Sequence, residues 1–293
     1  MRSAITRHMK RILATFSVAL FGVTLGSCSS EKPAPIPSGP AAAVKTTRNT
    51  AYVTPPVQGP VPRNPDINLP SNFSKGGNIS FSRVPVSGQY CAITFDDGPH
   101  AQNTPRLLDI LRARNIKSTF FVVGRNVDLY PGITRQIVAE GHEIASHTYT
   151  HRLLTKLSDD QVRQELDKTR DAIVKATGVQ PRVMRPPYGA LLQRQREWVH
   201  AEYGYPTILW SVDPNDWQRP GPSAICARIL TQTTAGGIIL AHDIHAGTVD
   251  AMPATLDGLL RKGFKFVTVS QLLAMRSSGA TASASEPAPL PAP

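Results

Sequence analysis

The sequence predicts an α/β fold, a small or open barrel built by a single domain over residues 89–276. The first observation is that short apolar runs alternate with amphipathic stretches, a pattern that implies parallel strands joined by right-handed helical crossovers. The second is the length of the segment, roughly 185 residues. That is enough for one core but short for a barrel of eight strand–helix units.

Each element is predicted from the local pattern of apolar residues and from the capping and turn residues at its ends. The predicted strands cover residues 90–95, 118–123, 143–146, 183–184, 207–211, 237–241 and 265–267. The predicted helices cover residues 104–114, 133–140, 159–177, 191–203, 223–231 and 253–262, with a last helix from residue 270. The third helix is the best defined, because Ser158 is a suitable N-cap, Gln161 stands at the capping-box position and Gly178 follows its end.

Residues 1–27 have the pattern of a lipoprotein-type signal peptide. Four basic residues precede an apolar stretch over residues 12–25, which is too short to span a bilayer. The string ending in Cys28 resembles a bacterial lipobox, in which the cysteine is lipidated, although an ordinary signal peptide with a cysteine at its cleavage site is the alternative. We therefore expect an exported, membrane-anchored lipoprotein of the cell envelope. In a Gram-negative cell, Ser29 favours sorting to the outer membrane, so the expected location is the outer membrane or periplasm.

The two segments that flank the predicted domain are rich in Pro, Ala and Ser. Residues 28–88 are interpreted as a linker and residues 277–293 as a disordered tail, because neither shows a sustained apolar period that could offset ordering entropy.

The net charge indicates which molecules the protein could bind, and the cysteines indicate whether a disulfide could form. The formal net charge is +11, and +7 once the four basic residues of the signal are removed. Such a surface suits acidic wall polymers or phospholipid headgroups, whereas export argues against nucleic acid. Cys91 and Cys226 are predicted to be buried thiols, with a disulfide as the alternative. We expect a monomer.

Polar residues follow the predicted strands at the point where each strand ends. The carboxyl ends of parallel strands meet at one rim, which is the face on which α/β barrels carry active sites. These residues are Asp96 and Asp97 after the first strand, His147 after the third, Arg185 after the fourth, Asp213 after the fifth and His242 after the sixth.

The adjacent carboxylates and an H-x-x-x-H pair indicate a hydrolytic metal site. One carboxylate can bind the ion with His147 and His151, while its neighbour stays free to act as a base. Two histidines and a carboxylate also suit ferrous iron, so a metal-dependent oxygenase is an alternative. The predicted helices disfavour it, because that site usually occurs in an all-β sandwich.

Five ordered motifs span nearly the whole predicted domain and resemble those of the polysaccharide deacetylases, carbohydrate esterase family 4. They are TFDDGP at 94–99, HTYTH at 147–151, RPPYG at 185–189, DPNDW at 213–217 and LAHDIH at 240–245. The resemblance implies a distorted (β/α) barrel of about seven parallel strands that forms a single catalytic domain. It also implies a divalent metal ion, usually Zn²⁺, with Co²⁺ or another divalent ion as alternatives.

By position, the resemblance assigns Asp97, His147 and His151 as metal ligands and Asp96 as the catalytic base. Three protein ligands would leave coordination positions open for water and substrate. The resemblance also assigns Arg185 as the partner that keeps Asp96 ionised.

The resemblance assigns a second group of residues to the leaving amine and the acetyl group. His242 is the expected acid, oriented by Asp216, and the backbone N–H of Tyr188 is the expected donor to the oxyanion. Trp217 and Leu240 are expected to form a small apolar pocket for the acetyl methyl group.

The implied function is removal of acetyl groups from N-acetylated glycans, such as the N-acetylglucosamine units of peptidoglycan or of another envelope or exported polysaccharide. One alternative is an O-acetyl esterase acting on xylan-like polymers. The other is a non-catalytic, glycan-binding lipoprotein, whose mark would be loss of the base or the ligands.

Overall fold

The computed structural model describes residues 78–276. The strands are β1 (Ser80–Phe81), β2 (Tyr90–Asp96), β3 (Thr119–Val122), β4 (Glu143–Ser146), β5 (Thr207–Ile208), β6 (Gly237–Ile239) and β7 (Lys265–Phe266). The α-helices are α1 (Asn103–Arg112), α2 (Gly124–Leu129), α3 (Pro131–Ala139), α4 (Asp159–Thr177), α5 (Gln193–Tyr203), α6 (Pro222–Gln232), α7 (Ala246–Arg261) and α8 (Val269–Ala274).

The strands close into a distorted barrel. Parallel ladders run in the order β4, β3, β2, β6, with β7 also paired to β2 and β1 paired to β5. Single-residue parallel bridges at Met184 join β4 to β5, and a bridge between Val212 and Ile239 joins the chain after β5 to β6. The predicted α/β barrel class is confirmed. The strand predicted at 183–184 is reduced to the bridging residue Met184.

The barrel begins earlier in the chain than the sequence predicts. Phe81 and Val84 are buried, and the backbone N–H of Leu209 donates to Phe81 O at 2.8 Å. This finding corrects the predicted linker, which runs to residue 88. The segment was missed because β1 is two residues long and its strand character comes from pairing with β5.

Alternation along β2 separates the two sides of the barrel wall. Cys91, Ile93 and Phe95 belong to the buried cluster formed with the surrounding helices. Ala92 belongs instead to a second cluster, which contains side chains from six of the strands. Since successive side chains of a strand point to opposite faces, Thr94 and Asp96 share the face of Ala92. Asp96 is thus the residue of this row nearest the carboxyl rim.

Helix α4 begins and ends as its sequence predicts. Ser158 Oγ accepts from Gln161 N at 3.3 Å, Gln161 Oε1 accepts from Ser158 N at 3.0 Å, and Gly178 has φ 75°. Helix α7 differs, because it begins at Ala246 and continues through Pro253. The prediction placed that proline in the first turn, where proline is most often found.

Several predictions fall outside the described residues: the signal peptide, lipidation at Cys28, the linker up to residue 77, and the tail at 277–293. Within residues 78–276, no helix has the length and apolar character needed to cross a membrane. Cys91 is buried and Cys226 is half-buried, and both are free thiols. Burial raises the pKa of Cys91 to about 12.

Candidate active site

The rim residues predicted from the strand ends converge in the structure. Asp96 closes β2, His147 follows β4, and Arg185 follows the bridging residue Met184. A parallel bridge pairs Asp96 with His242, and the backbone N–H of Asp96 donates to Ala241 O at 2.9 Å. Barrel closure therefore places groups from distant parts of the chain at one site.

Asp97, His147 and His151 form the cluster that can hold a metal ion. One ligand atom from each lies within 4.8 Å of the others. Oδ1 of Asp97 lies 3.4 Å from Nε2 of His147 and 3.2 Å from Nε2 of His151. This buried oxygen has no hydrogen-bond partner in the described structure. Two imidazole nitrogens and a carboxylate oxygen are a donor set that suits Zn²⁺, and three protein ligands leave a position open.

Contacts around the cluster favour the forms that bind metal. Nδ1 of His147 lies 2.7 Å from the carbonyl oxygen of Arg185, which can only accept, so the proton is assigned to Nδ1 and Nε2 is left as a lone-pair donor. Burial, followed by the charge of His147, lowers the pKa of His151 to about 4. Burial alone would raise the pKa of Asp97, but the His147 imidazole and the His242 charge outweigh it and lower that pKa.

The backbone at the ligands is unusual. Asp97 has φ 72°, Thr148 has φ 66° and His151 has φ 58°, values in the left-handed region that few non-glycine residues adopt. The backbone N–H of His151 donates to Oγ1 of Thr148 at 3.2 Å, and this hydrogen bond closes the turn between His147 and His151.

Asp96 is held by a fully buried arginine. Nη1 of Arg185 donates to Oδ1 of Asp96 at 2.6 Å and to Oγ1 of Thr94 at 2.7 Å. The remaining guanidinium nitrogens donate to the carbonyl oxygens of Ile208 and Leu209 at 3.2 and 3.1 Å. Burial lowers the pKa of Arg185, and the Asp96 carboxylate offsets part of that effect. The free oxygen, Oδ2 of Asp96, lies 3.6 Å from Nε2 of His147.

His242 pairs with Asp216 on the other side of the cluster. Nδ1 of His242 lies 2.8 Å from Oδ1 of Asp216, and Oδ2 accepts from Oγ1 of Thr248 at 2.8 Å. Burial alone would lower the pKa of His242, but the Asp216 carboxylate and the charges of Asp97 and Asp96 raise it to about 10. Thr94 lies in the first motif but has no role that the sequence predicts, and Thr248 lies outside all five motifs, because each role is defined only by a contact with a distant residue.

The sequence is similar to that of known proteins. The sequence profile of a family described as polysaccharide deacetylase matches residues 83–208. A peptidoglycan-N-acetylglucosamine deacetylase of Bacillus cereus is 35% identical over 225 residues, which cover 72% of this chain and 81% of that protein. The chain belongs to the polysaccharide deacetylase family.

Other polysaccharide deacetylases show how far the likeness extends. The peptidoglycan-N-acetylglucosamine deacetylase PgdA of Listeria monocytogenes is 41% identical over 181 residues, which cover 62% of this chain but only 38% of that longer protein. The crystal structure of a peptidoglycan N-acetylglucosamine deacetylase in complex with a hydroxamate-type benzamide superposes with a TM-score of 0.64 at 36% identity, covering 66% of this chain and 91% of that one. The barrel fold is therefore that of solved polysaccharide deacetylases.

The residues assigned to the acetyl group and the oxyanion lie close to other residues of the site or of the core. Tyr188 has φ 60°, and its ring lies 4.9 Å from the ring of His151. Leu240 packs with Leu209 and Trp210 in a buried cluster. Trp217 is partly buried, and its Nε1 has no hydrogen-bond partner in the described structure. The shared pocket of Trp217 and Leu240 and the oxyanion role of the Tyr188 N–H stay predictions.

Asp213 has a local structural role. Its Oδ1 accepts from the backbone N–H of Asn215 at 2.7 Å, and its own N–H donates to Gln232 Oε1 at 3.2 Å. Burial raises its pKa. These contacts place its carboxylate in the turn before Asp216.

Proposed function

We propose that the protein is a metal-dependent hydrolase that removes acetyl groups from N-acetylated glycans, with the N-acetylglucosamine units of peptidoglycan as substrate. The observation that carries the proposal is the juxtaposition of Asp97, His147 and His151 with two separate proton-handling pairs, Asp96 with Arg185 and His242 with Asp216. Two relatives that are peptidoglycan-N-acetylglucosamine deacetylases support the substrate class.

Asp97, His147 and His151 would hold the ion, for which Zn²⁺ is the first candidate and Co²⁺ another. When bound, a divalent ion activates water and polarises the acetyl carbonyl. Asp96 then takes the proton of the attacking water, through the oxygen that faces His147 and not Arg185. Arg185 keeps the other oxygen occupied and fixes the orientation of the base.

The amide nitrogen must gain a proton before it can leave. His242 is suited to supply it, because the Asp216 carboxylate outweighs burial, raises the pKa of the imidazole and favours its protonated form near neutral pH. Asp216 accepts from both the ring and the backbone of His242, so the donor is fixed in orientation. The backbone N–H of Tyr188 is proposed to donate to the oxyanion, and Trp217 with Leu240 to contact the acetyl methyl group.

The proposal also includes the location of the protein in the cell. The signal pattern and Cys28 support an exported lipoprotein, tethered to the outer membrane if the cell is Gram-negative, which acts as a monomer on glycan near the membrane. Incorporation of a radiolabelled fatty acid into the wild-type chain but not into Cys28→Ala would test the anchor.

Acetate release from defined polymers tests the activity. Full-length protein stripped of metal and then supplied with Zn²⁺ is incubated with peptidoglycan, chitin oligomers, poly-N-acetylglucosamine and acetylated xylan, with Asp96→Asn as the inactive control. We expect zinc-dependent release from N-acetylated polymers, peptidoglycan first. Activity on acetylated xylan alone would replace the proposal with an O-acetyl esterase. Glycan binding without turnover on any of the four polymers would support a non-catalytic role.

A further inference from the structure

The turn between the two histidine ligands is held by a carboxylate from a neighbouring helix. Oε2 of Glu165 accepts from the backbone N–H groups of Tyr149 and Thr150 at 2.8 and 2.7 Å. Oε1 of the same residue accepts from Oγ1 of Thr150 at 2.5 Å. Glu165 lies on α4 and its side chain is buried. A single side chain therefore binds three donors of the turn from one side.

The carbonyl groups on the opposite side of the turn have hydrogen-bond partners as well. The backbone N–H of Gly124 donates to Thr148 O at 2.9 Å, and that of Arg125 donates to Tyr149 O at 3.1 Å. The acceptors of the turn thus face α2, while its donors face Glu165 on α4. Because Tyr149 and Thr150 are partly buried, their backbone groups need these partners, and loss of either side would favour a different turn conformation.

The backbone conformation shows why the turn needs this support. Thr148 and His151 both have φ near +60°, a conformation in which few side-chain-bearing residues are stable without outside contacts. The separation of the two imidazoles depends on that conformation, because His147 and His151 stand at its two ends.

We propose that Glu165 is a positioning residue for the metal site, which sets the turn so that His147 and His151 present their Nε2 atoms to one ion. The inference rests on the metal role of these histidines in the proposed function. Glu165 itself touches neither histidine side chain among its described hydrogen bonds. Groups that bond a ligating histidine directly contribute about 10- to 100-fold to metal affinity, and Glu165 acts one step further out, through the backbone of the turn.

Two substitutions can distinguish the contribution of the hydrogen bonds of Glu165 from that of its charge. In Glu165→Gln, the amide oxygen can accept from both backbone N–H groups, and the amide nitrogen can donate to Oγ1 of Thr150 once that hydroxyl rotates. In Glu165→Leu, the side chain volume is similar but all three acceptor contacts are lost. The glutamine variant should therefore keep the turn, whereas the leucine variant should not.

The test measures zinc affinity directly, by competition of the full-length protein with a chromophoric chelator, and records the visible spectrum of the Co²⁺ form. We expect Glu165→Leu to lose at least about 10-fold in Zn²⁺ affinity and to show an altered Co²⁺ spectrum. Glu165→Gln should stay within about threefold of wild type. The control is Ala172→Gly, which weakens the same helix at a buried position away from the turn.

Unchanged affinity in Glu165→Leu would overturn the inference. The inference would also be overturned if Ala172→Gly, at the same fall in Tm, lost as much Zn²⁺ affinity as Glu165→Leu. An equal loss of Zn²⁺ affinity in Glu165→Gln would overturn it too. Should the leucine variant fail to fold, Glu165→Asp, which is one methylene shorter, replaces it with the same expected loss and the same contrary result. Wild-type protein that binds zinc but releases no acetate would refute the proposed function alone, because affinity is read without substrate.

Discussion

Both oxygens of the Asp216 carboxylate contact His242: Oδ1 lies 2.8 Å from the ring Nδ1, and Oδ2 accepts from the backbone N–H at 2.7 Å. The carboxylate therefore fixes the position of the histidine through its backbone and its protonation through its ring. The two effects can be separated by changing the charge while keeping the shape.

Asp216→Asn should shift the alkaline limb of the pH–rate profile to lower pH. Against the effect of burial, the Asp216 carboxylate raises the pKa of His242, so the proposed acid stays protonated to higher pH and activity is lost as the pH rises through that pKa. Without the negative charge of Asp216 the pKa falls, and protonation is lost at a lower pH. We expect kcat at pH 8 to fall by about 10²-fold. An unchanged alkaline limb would show that His242 is not the acid.

Replacing the proposed base should have a different effect from replacing a proposed metal ligand. Asp96→Asn should keep Zn²⁺ but reduce kcat by about 10³-fold, because it removes the proposed base without removing a ligand. His147→Ala should lower zinc affinity as well, since it removes a ligand. Metal content after dialysis and kcat measured at saturating zinc separate the two effects. Equal metal loss in both variants would mean that the roles of Asp96 and Asp97 are misassigned.

Arg185→Met should destabilise the fold as well as the site. It leaves the buried Asp96 carboxylate unpaired, a change that typically costs about 3–5 kcal/mol in the free energy of unfolding. Urea unfolding followed by circular dichroism measures the cost. The double variant Arg185→Met with Asp96→Asn should recover part of it, because the stranded charge is gone.

An exposed ion pair supplies the control for that experiment. Arg163 pairs with Glu202 at 2.8 Å on the surface, and Arg163→Met should leave the urea midpoint close to that of wild type, because exposed ion pairs contribute little to stability. If the buried and exposed arginines gave equal losses, the buried pair would not be the source of the effect.

Gly98→Ala should damage the segment that follows the ligand Asp97. A Cβ at residue 98 would overlap the carboxylate of Asp243, which is fully buried and hydrogen-bonded to Oγ1 of Thr104. Overpacking of this kind costs about 1–3 kcal/mol. Thermal unfolding and zinc affinity should both fall, and adding Asp243→Ala, which empties the overlapping space, should restore stability relative to Gly98→Ala. A Gly98→Ala protein as stable as wild type would contradict the predicted overlap.

The sequence predicts elements well where their determinants are local. Helix α4 was predicted at its exact bounds, because a capping box and a terminal glycine are signals within a few residues of its ends. The sequence does not predict strand β1, because its strand character depends on pairing with β5. It predicts a start for α7 that is several residues too late, because the packing on both sides of Pro253 is a tertiary effect.

The same distinction applies to the site. Asp96, His147 and His242 could be predicted because each follows a strand, and the carboxyl ends of parallel strands share a rim. Thr94 and Glu165 could not be predicted, because their roles depend on hydrogen bonds to residues far away in sequence: Arg185 lies 91 residues from Thr94, and the nearest partner of Glu165 in the turn lies 15 residues away.

Because the bridge between Asp96 and His242 joins residues far apart in the chain, the site is incomplete until β6 and the residues that follow it have joined the barrel. The hydrogen bond between Thr94 Oγ1 and Ile239 O, beside that bridge, joins residues 145 apart in the chain, and such long-range parallel pairings form slowly. A chain crossing a membrane from its N-terminus would present the metal ligands and the base well before the acid. Hydrolytic capacity should therefore appear only after most of the domain has emerged, which would keep a partly translocated chain inactive toward glycan.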